Sequence, residues 1–146
     1  MFAEDVDLTA VAEEIGTPFY CYSQATFTRH IEVMMGAFAG TDTLVAYAMK
    51  ANSNQAMLAI AAKQGIGADV VSVGELERAL RAGIPADKII FSGVAKSRAE
   101  MRRGLDVGIL CFNVESEPEL ERLNAVAAEM DKIAPVSVRI NPDVDA

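Results

Sequence analysis

The chain has 146 residues, of which 51% are hydrophobic and 23% charged, and its 13 Lys and Arg against 21 Asp and Glu give a net charge of −8. This composition supports an ordinary domain with a core and excludes disordered, collagen-like and coiled-coil classes. The negative charge makes nucleic acid and anionic membranes poor partners, because their phosphates would repel it. The acidic start MFAEDVD does not resemble a signal peptide, and no apolar run approaches the roughly 20 residues of a membrane span, so we expect a cytoplasmic protein.

The first 40 residues predict a lead-in of short elements. A helix is expected at Leu8–Ile15, ended by Gly16, and a strand at Phe19–Tyr22. Ser23 is then placed to cap a second helix. The apolar residues of its inner face are Phe27, Ile31, Met34 and Phe38.

Strands and helices alternate regularly from residue 41 to residue 146. Nearly continuous apolar runs, rich in β-branched or aromatic residues, recur at Leu44–Ala48, Ala68–Ser72, Ile89–Ser92, Ile109–Val114 and Val136–Asn141. Each gap between them holds one helical pattern. This alternation predicts βαβ units and a parallel sheet covered on both faces.

Capping signals predict where these helices begin. The S-x-x-E capping box occurs as Ser72 with Glu75, Ser97 with Glu100, and Ser116 with Glu119. The longest helix is expected from about Pro118 to Met130, since a proline is tolerated in a first turn.

Residues capable of chemistry or of tight turns lie in the end of every predicted strand or just after it, which bears on the type of α/β fold. They are Lys50 and Asn52, Asp69 and Ser72, Ser92 and Gly93, Asn113 and Glu115, and Arg139 and Asn141. A doubly wound sheet would concentrate such groups at one switch point, whereas a (β/α)8 barrel collects them at the carboxyl ends of all its strands. We therefore expect a partial (β/α)8 TIM barrel of about five βα units. A full barrel needs about 250 residues, so the chain is predicted to be the first part of a larger domain.

Lys50, in LVAYAMKANSN, is the foremost candidate for catalysis. A charge at the end of an apolar strand costs free energy unless it is paired or functional, and desolvation there would lower the lysine's pKa. A neutral amine can form a Schiff base with an aldehyde cofactor or a carbonyl substrate. On spacing alone, a surface lysine that leaves the strand explains the position equally well.

Cysteine and histidine chemistry is not indicated. Cys21 and Cys111 lack CxxC spacing and are expected to be reduced packing residues. His30, the one histidine, falls within a predicted helix, so no metal site is expected.

Five segments resemble the fold-type-III, alanine-racemase-like family of pyridoxal-phosphate decarboxylases. They are YAMKANSN, GADVVSVGELERALRAG, IIFSGVAKS, CFNVESEPELERLN and VSVRINPDVDA, in that order. The resemblance implies pyridoxal 5'-phosphate as the cofactor, with Lys50 as the lysine that holds it. It also implies that the remaining site residues lie near the cofactor: Asn52, Asp69, Glu75 and Arg139. The Ser72 capping box explains Glu75 equally well.

Within this family, NVESEPELERLN and RINPDVDA resemble the enzymes that act on diaminopimelate. The resemblance implies decarboxylation of meso-2,6-diaminopimelate to L-lysine, the last step of lysine biosynthesis, by a homodimer. It places the phosphate-binding glycine loop and a C-terminal β domain beyond residue 146, so this chain alone is expected to be inactive. Two alternatives stay open: a decarboxylase of ornithine, arginine or a polyamine precursor, and a non-enzymatic barrel relative that binds a protein partner.

Overall fold

The computed structural model describes residues 1–142 and divides the chain into two compact units, Met1–Thr41 and a second that begins at Asp42. The first unit contains an antiparallel pair of strands, β1 (Phe2–Ala3) and β2 (Val6–Asp7), and the helices α1 (Leu8–Ile15) and α2 (Gln24–Ala37). The Ser23 hydroxyl accepts a hydrogen bond from the Thr26 N–H at 3.0 Å, which confirms the predicted cap of α2. No helix within residues 1–142 is long and apolar enough to cross a membrane.

Two predictions for the first unit are wrong. Phe19–Tyr22 is not a strand, and Tyr20 in it is 92% exposed. A strand exists through hydrogen bonds to a partner, and β-prone residues do not supply one. On the predicted inner face of α2, Ile31 is buried, but Met34 and Phe38 are exposed. The apolar period indicates which side of a helix is hydrophobic, not whether another element covers it.

The second unit is built on a five-stranded parallel sheet. Its strands are β3 (Ala46–Ala48), β4 (Gly67–Val70), β5 (Ile89–Phe91), β6 (Cys111–Val114) and β7 (Val136–Val138), and they pair side by side in that order. The helices between them are α3 (Gln55–Lys63), α4 (Val73–Ala82), α5 (Arg98–Val107) and α6 (Glu117–Glu129). An order without reversal is that of a barrel wall rather than a doubly wound sheet. The predicted α/β fold, a partial (β/α)8 barrel, is confirmed.

The helix-facing side of the sheet carries the core. Alternate strand residues on this side are buried: Ala68, Val70, Ile89, Phe91, Phe112 and Val114. They pack with Leu76, Met101 and Leu123 of the helices, and the Phe91 and Phe112 rings stack with centroids 5.9 Å apart. Because side chains alternate along a strand, the residues between them lie on the opposite side of the sheet, where they are only partly buried.

Two of the three predicted caps hold, in different ways. At the start of α5, the Glu100 carboxylate accepts from the Ser97 N–H at 3.0 Å and the Ser97 hydroxyl accepts from the Glu100 N–H, which confirms the reciprocal box. At the start of α4, the Ser72 hydroxyl accepts from the Glu75 N–H at 3.2 Å. The Glu75 carboxylate, however, accepts from the N–H of Val71 at 2.8 Å and not from Ser72.

Ion pairs link the outer helices. Arg103 of α5 donates from Nε to Glu77 of α4 at 2.6 Å and from Nη1 to Asp106 at 2.9 Å. Arg98 and Arg102 of α5 both bind Glu129 of α6. The hydrogen bonds from Arg103 hold the pKa of Glu77 below its usual value.

We expect the Glu77–Arg103 pair to make stability depend on pH in acid. Because the pKa of Glu77 is lower in the folded state, its contribution is complete above the unfolded value of about 4.3 and is lost as the pH falls through the folded pKa. Thermal unfolding from pH 7 to pH 3 should show a deficit in Glu77→Gln that closes in acid. A deficit that stays constant across this range would contradict the assignment.

We expect Gly104→Ala to destabilise the contact between α5 and β6. A Cβ at Gly104 would lie 2.7 Å from Cζ of Phe112, whose ring is fully buried and stacked on Phe91, so that moving it would disturb the core. Overpacking of this kind costs about 1–3 kcal/mol of unfolding free energy, measurable by denaturant titration. Gly74→Ala in α4 is the matched control, because the nearest atom to its Cβ would be 3.8 Å away. Equal stabilities for the two variants would show that this contact is not tight.

Candidate active site

Lys50 lies at the carboxyl end of β3, in a 3-10 turn formed by Met49–Ala51. Met49 is fully buried and anchors the turn, whereas Lys50 is exposed. Within residues 1–142, no hydrogen bond or ion pair involves its ammonium group. The apolar surroundings expected from the sequence are therefore not found in this part of the chain. The turn follows Ala48, which pairs with Asp69 of β4. Lys50 therefore lies two residues beyond the position in β3 that is next to Asp69.

Asn52 shapes the loop that carries Lys50. Its side-chain oxygen accepts from the Asn54 N–H at 2.9 Å, and its carbonyl accepts from the Tyr47 hydroxyl at 3.1 Å. Asn54 in turn caps α3 by accepting from the Ala56 N–H. These contacts fix the path from β3 into α3, and with it the base of the Lys50 turn.

Asp69 lies in β4 on the side of the sheet opposite the core. Its carboxylate accepts a hydrogen bond from the Ser92 hydroxyl, and that hydroxyl accepts from Nδ2 of Asn113 at 2.8 Å. A polar chain thus crosses three neighbouring strands near their carboxyl ends. Burial, with the Asp69 charge adding to it, raises the pKa of the nearby Cys111 thiol. A thiol held neutral is a poor nucleophile, which agrees with the packing role expected of Cys111. Cys21 is exposed, so the same expectation is wrong for it.

Arg139 follows β7 by one residue and extends the same polar edge. Its Nη1 donates to Oε2 of Glu115 at 3.0 Å and its Nε to the Asn141 side chain at 3.2 Å, while 55% of the side chain stays exposed. The other oxygen of Glu115 accepts from the Gly93 N–H at 2.9 Å. The charge that the sequence places beside an apolar strand therefore has a partner.

A buried ion pair between Lys96 and Glu119 lies beneath this edge, and sequence reasoning missed it. Lys96 is 2% exposed, and its ammonium donates to Glu119 at 2.6 Å, to the Gly93 carbonyl at 2.6 Å and to the Asn113 carbonyl at 2.8 Å. Glu119 also accepts from the Glu115 N–H at 3.2 Å.

The capping box predicted at Ser116 and Glu119 is wrong, because Glu119 belongs to this buried ion pair. The Ser116 side chain makes no cap, and the Glu119 carboxylate turns inward to the ammonium group of Lys96. The sequence did contain a signal for the buried Lys96, which is the one charged residue in the segment FSGVAKS. Lys50 is likewise the one charged residue in LVAYAMKANSN. The reasoning applied to Lys50 would have found Lys96 as well.

The five predicted site residues are not all brought together by direct contacts. Asp69 and Arg139 join the network of the carboxyl edge, whereas Asn52 and Glu75 shape the loops that follow β3 and β4. Lys50 stands at the same edge as an accessible primary amine. An exposed primary amine, a carboxylate and a guanidinium at one edge could together hold an aldehyde-bearing, anionic ligand. No cluster of three or more metal-ligating side chains occurs in the part of the chain that the structure describes.

Comparisons with known proteins agree on one family. Residues 9–146 match the family described as "Pyridoxal-dependent decarboxylase, pyridoxal binding domain". The chain is 53% identical over 146 residues to the diaminopimelate decarboxylase of Haemophilus influenzae and 54% identical to that of Pseudomonas aeruginosa. Each alignment covers 100% of this chain and 35% of the relative. The crystal structure of diaminopimelate decarboxylase from Helicobacter pylori complexed with L-lysine superposes with a TM-score of 0.91 at 40% identity, over 95% of this chain and 35% of that one.

We expect Lys96→Met to be among the more destabilising single substitutions. It leaves the Glu119 carboxylate buried without its cation and two carbonyls without their donor. Breaking one side of a buried pair costs about 3–5 kcal/mol. The double variant Lys96→Met with Glu119→Met should recover part of this loss, because no unpaired charge remains buried. Denaturant unfolding of both variants measures the difference, and a double variant less stable than Lys96→Met would contradict this account.

Proposed function

The chain belongs to the pyridoxal-dependent decarboxylase family and carries its pyridoxal-binding domain, and on this premise we propose that it acts in a diaminopimelate decarboxylase. The proposed reaction converts meso-2,6-diaminopimelate to L-lysine with release of carbon dioxide. The chain spans 35% of the length of the relatives it matches, so the activity is proposed for the full open reading frame that carries it.

The choice of substrate rests on the relatives rather than on this chain's own contacts. Relatives that are 53% or 54% identical to this chain over its 146 residues are named as diaminopimelate decarboxylases. The lysine/ornithine decarboxylase of Vibrio vulnificus, complexed with putrescine, is 23% identical, and at this identity the likeness shows a common fold and no more. These findings support diaminopimelate over the polyamine precursors.

The observation that carries the proposal is the accessible amine of Lys50 at the carboxyl edge. We propose that Lys50 holds pyridoxal 5'-phosphate, which requires an amine that the aldehyde can reach. Asp69 in β4 and Arg139 directly after β7, two residues of the same carboxyl edge, would supply an acid and a cation for the polar groups of the ring. When bound, the cofactor supplies the electron sink for loss of the carboxylate.

The residues of this chain would bind and orient rather than perform the bond cleavage. The polar chain from Asn113 through Ser92 keeps the Asp69 carboxylate in one position. Glu115 does the same for the guanidinium of Arg139. Groups held in place before a ligand arrives need no reorganisation when charge develops on it. Asn52 fixes the loop that presents Lys50, and Glu75 closes the turn after β4.

The setting of the enzyme is part of the same proposal. We propose a small amino acid as its substrate, a cytoplasmic location and a homodimer. The resemblance of the sequence to the family supports all three.

We expect Lys50→Ala in the full open reading frame to abolish the visible absorbance of bound cofactor and to lower decarboxylation by several orders of magnitude. Lys63→Ala is the matched control, because Lys63 is also exposed but lies in the last turn of α3. Circular dichroism should show both variants folded. Near-normal turnover in Lys50→Ala would overturn the assignment of Lys50, whereas equal losses in both variants would indicate a general effect of charge.

A further inference from the structure

We propose that the buried Lys96–Glu119 pair positions Glu115 and, through Glu115, the guanidinium of Arg139 for the cofactor. The inference rests on the proposed function, because it takes Arg139 as a cofactor-binding residue. Lys96 and Glu119 are positioning residues in this scheme, since neither is exposed to a ligand.

The first step is that Lys96 fixes the loop after β5 to the end of β6. Its three ammonium hydrogens match three acceptors, and two of these are backbone carbonyls, at Gly93 and Asn113. Leaving any of these contacts unmade in a buried place is costly, so the three acceptors hold a single arrangement. The loop after β5 therefore cannot shift without breaking a charged hydrogen bond.

The second step is that Glu119 fixes the start of the loop after β6. One carboxylate oxygen accepts from Lys96 and the other from the N–H of Glu115. The Glu115 side chain, only 10% exposed, then divides its own oxygens between the Gly93 N–H and the Arg139 guanidinium. Three loops at the carboxyl edge are thus joined through two carboxylates.

The third step is that stability alone does not require this arrangement. A well-packed apolar pair often stabilises a core as well as a buried ion pair does. An apolar pair could not accept from the N–H of Glu115, and Arg139 would then lose its oriented partner. The pair therefore contributes geometry that an apolar replacement would lack.

Glu119→Gln tests the relay with little change of volume. The Lys96 ammonium and the Glu115 N–H bind different oxygens of the Glu119 carboxylate, and the amide replaces one of these oxygens with an NH2 group that can only donate. The charged ammonium group keeps the remaining oxygen, so the Glu115 N–H loses its acceptor. In the cofactor-free protein, hydrogen exchange should become at least about 10-fold faster at Glu115, whose N–H loses the Glu119 acceptor. The same increase is expected at Gly93, because its N–H binds the Glu115 carboxylate that the lost contact positions. The N–H of Val71, which is also bound to a carboxylate, at Glu75, is the internal control and should not change. Unchanged exchange at Glu115 and Gly93 would overturn the proposal.

A double-mutant cycle separates positioning from general stability. The dissociation constant of pyridoxal phosphate is measured by absorbance for the wild type, Glu119→Gln, Arg139→Met and the double variant of the full open reading frame. Introduced into the wild-type protein, Glu119→Gln should weaken cofactor binding about 10-fold. Introduced into the Arg139→Met variant, it should weaken binding less than about twofold, because the effects of groups that act through one another are not additive. Equal weakening in both backgrounds would show a merely structural role and overturn the relay.

A control variant and two further outcomes distinguish a failure of the proposed function from a failure of the Lys96–Glu119 relay. Glu77→Gln makes the same chemical change in an ion pair outside the network and should leave cofactor affinity within about twofold. A wild type that does not bind pyridoxal phosphate would overturn the proposed function and this inference with it. A wild type that binds, together with an additive cycle, would overturn the relay alone.

Discussion

A lysine ammonium removed from water must find an acceptor for each of its three hydrogens, and the carboxyl edge of this sheet is organised around that requirement at Lys96. The acceptors come from the loop after β5, the end of β6 and the first turn of α6. Apolar packing does not distinguish small shifts of a loop, because it lacks direction, whereas these hydrogen bonds do. The buried charge therefore fixes positions that the hydrophobic core leaves free, and the contacts of Glu115 and Arg139 follow from it.

The alternation of side chains along the strands separates the residues that stabilise the fold from those that form the polar edge. Residues facing the helices are apolar and buried, while Asp69, Ser92 and Asn113 lie on the other side and bind one another. Within residues 1–142, every fully buried side-chain nitrogen or oxygen has a hydrogen-bond partner. Because their hydrogen bonds are already made, the side chains of this edge can stay oriented without a ligand. A ligand that binds there need not lose affinity to the entropic cost of ordering them.

The sequence was sufficient for what depends on local pattern and failed where a distant partner decides. Apolar runs and capping signals predicted the five strands and the reciprocal cap at Ser97, because period and caps are properties of neighbouring residues. The barrel was predicted separately, from the polar residues at the end of every strand. Phe19–Tyr22 has strand composition but no ladder within the described residues, and pairing is a tertiary property. Glu119 has the spacing of a cap, yet a buried cation 23 residues away competes for its carboxylate and wins. The Lys96 ammonium offers the carboxylate a full opposite charge as well as a hydrogen bond, whereas the Ser116 N–H offers a hydrogen bond alone, which accounts for this outcome.

Lys50 and Lys96 show why one sequence signal can have two meanings. Each is the one charge of an apolar run just after a strand, and both therefore seem to need compensation. Lys96 receives it from three acceptors and becomes part of the scaffold, unreachable by any ligand. Lys50 avoids the need for it, because the 3-10 turn carries its side chain out to the edge and leaves Met49 to fill the core. What separates the buried lysine from the exposed one is thus the backbone after the strand, since the 3-10 turn leaves the amine of Lys50 exposed and the loop after β5 directs that of Lys96 to the Asn113 carbonyl of β6. For these two lysines, access to a ligand is determined less by the strand that each follows than by the residues between that strand and the next helix.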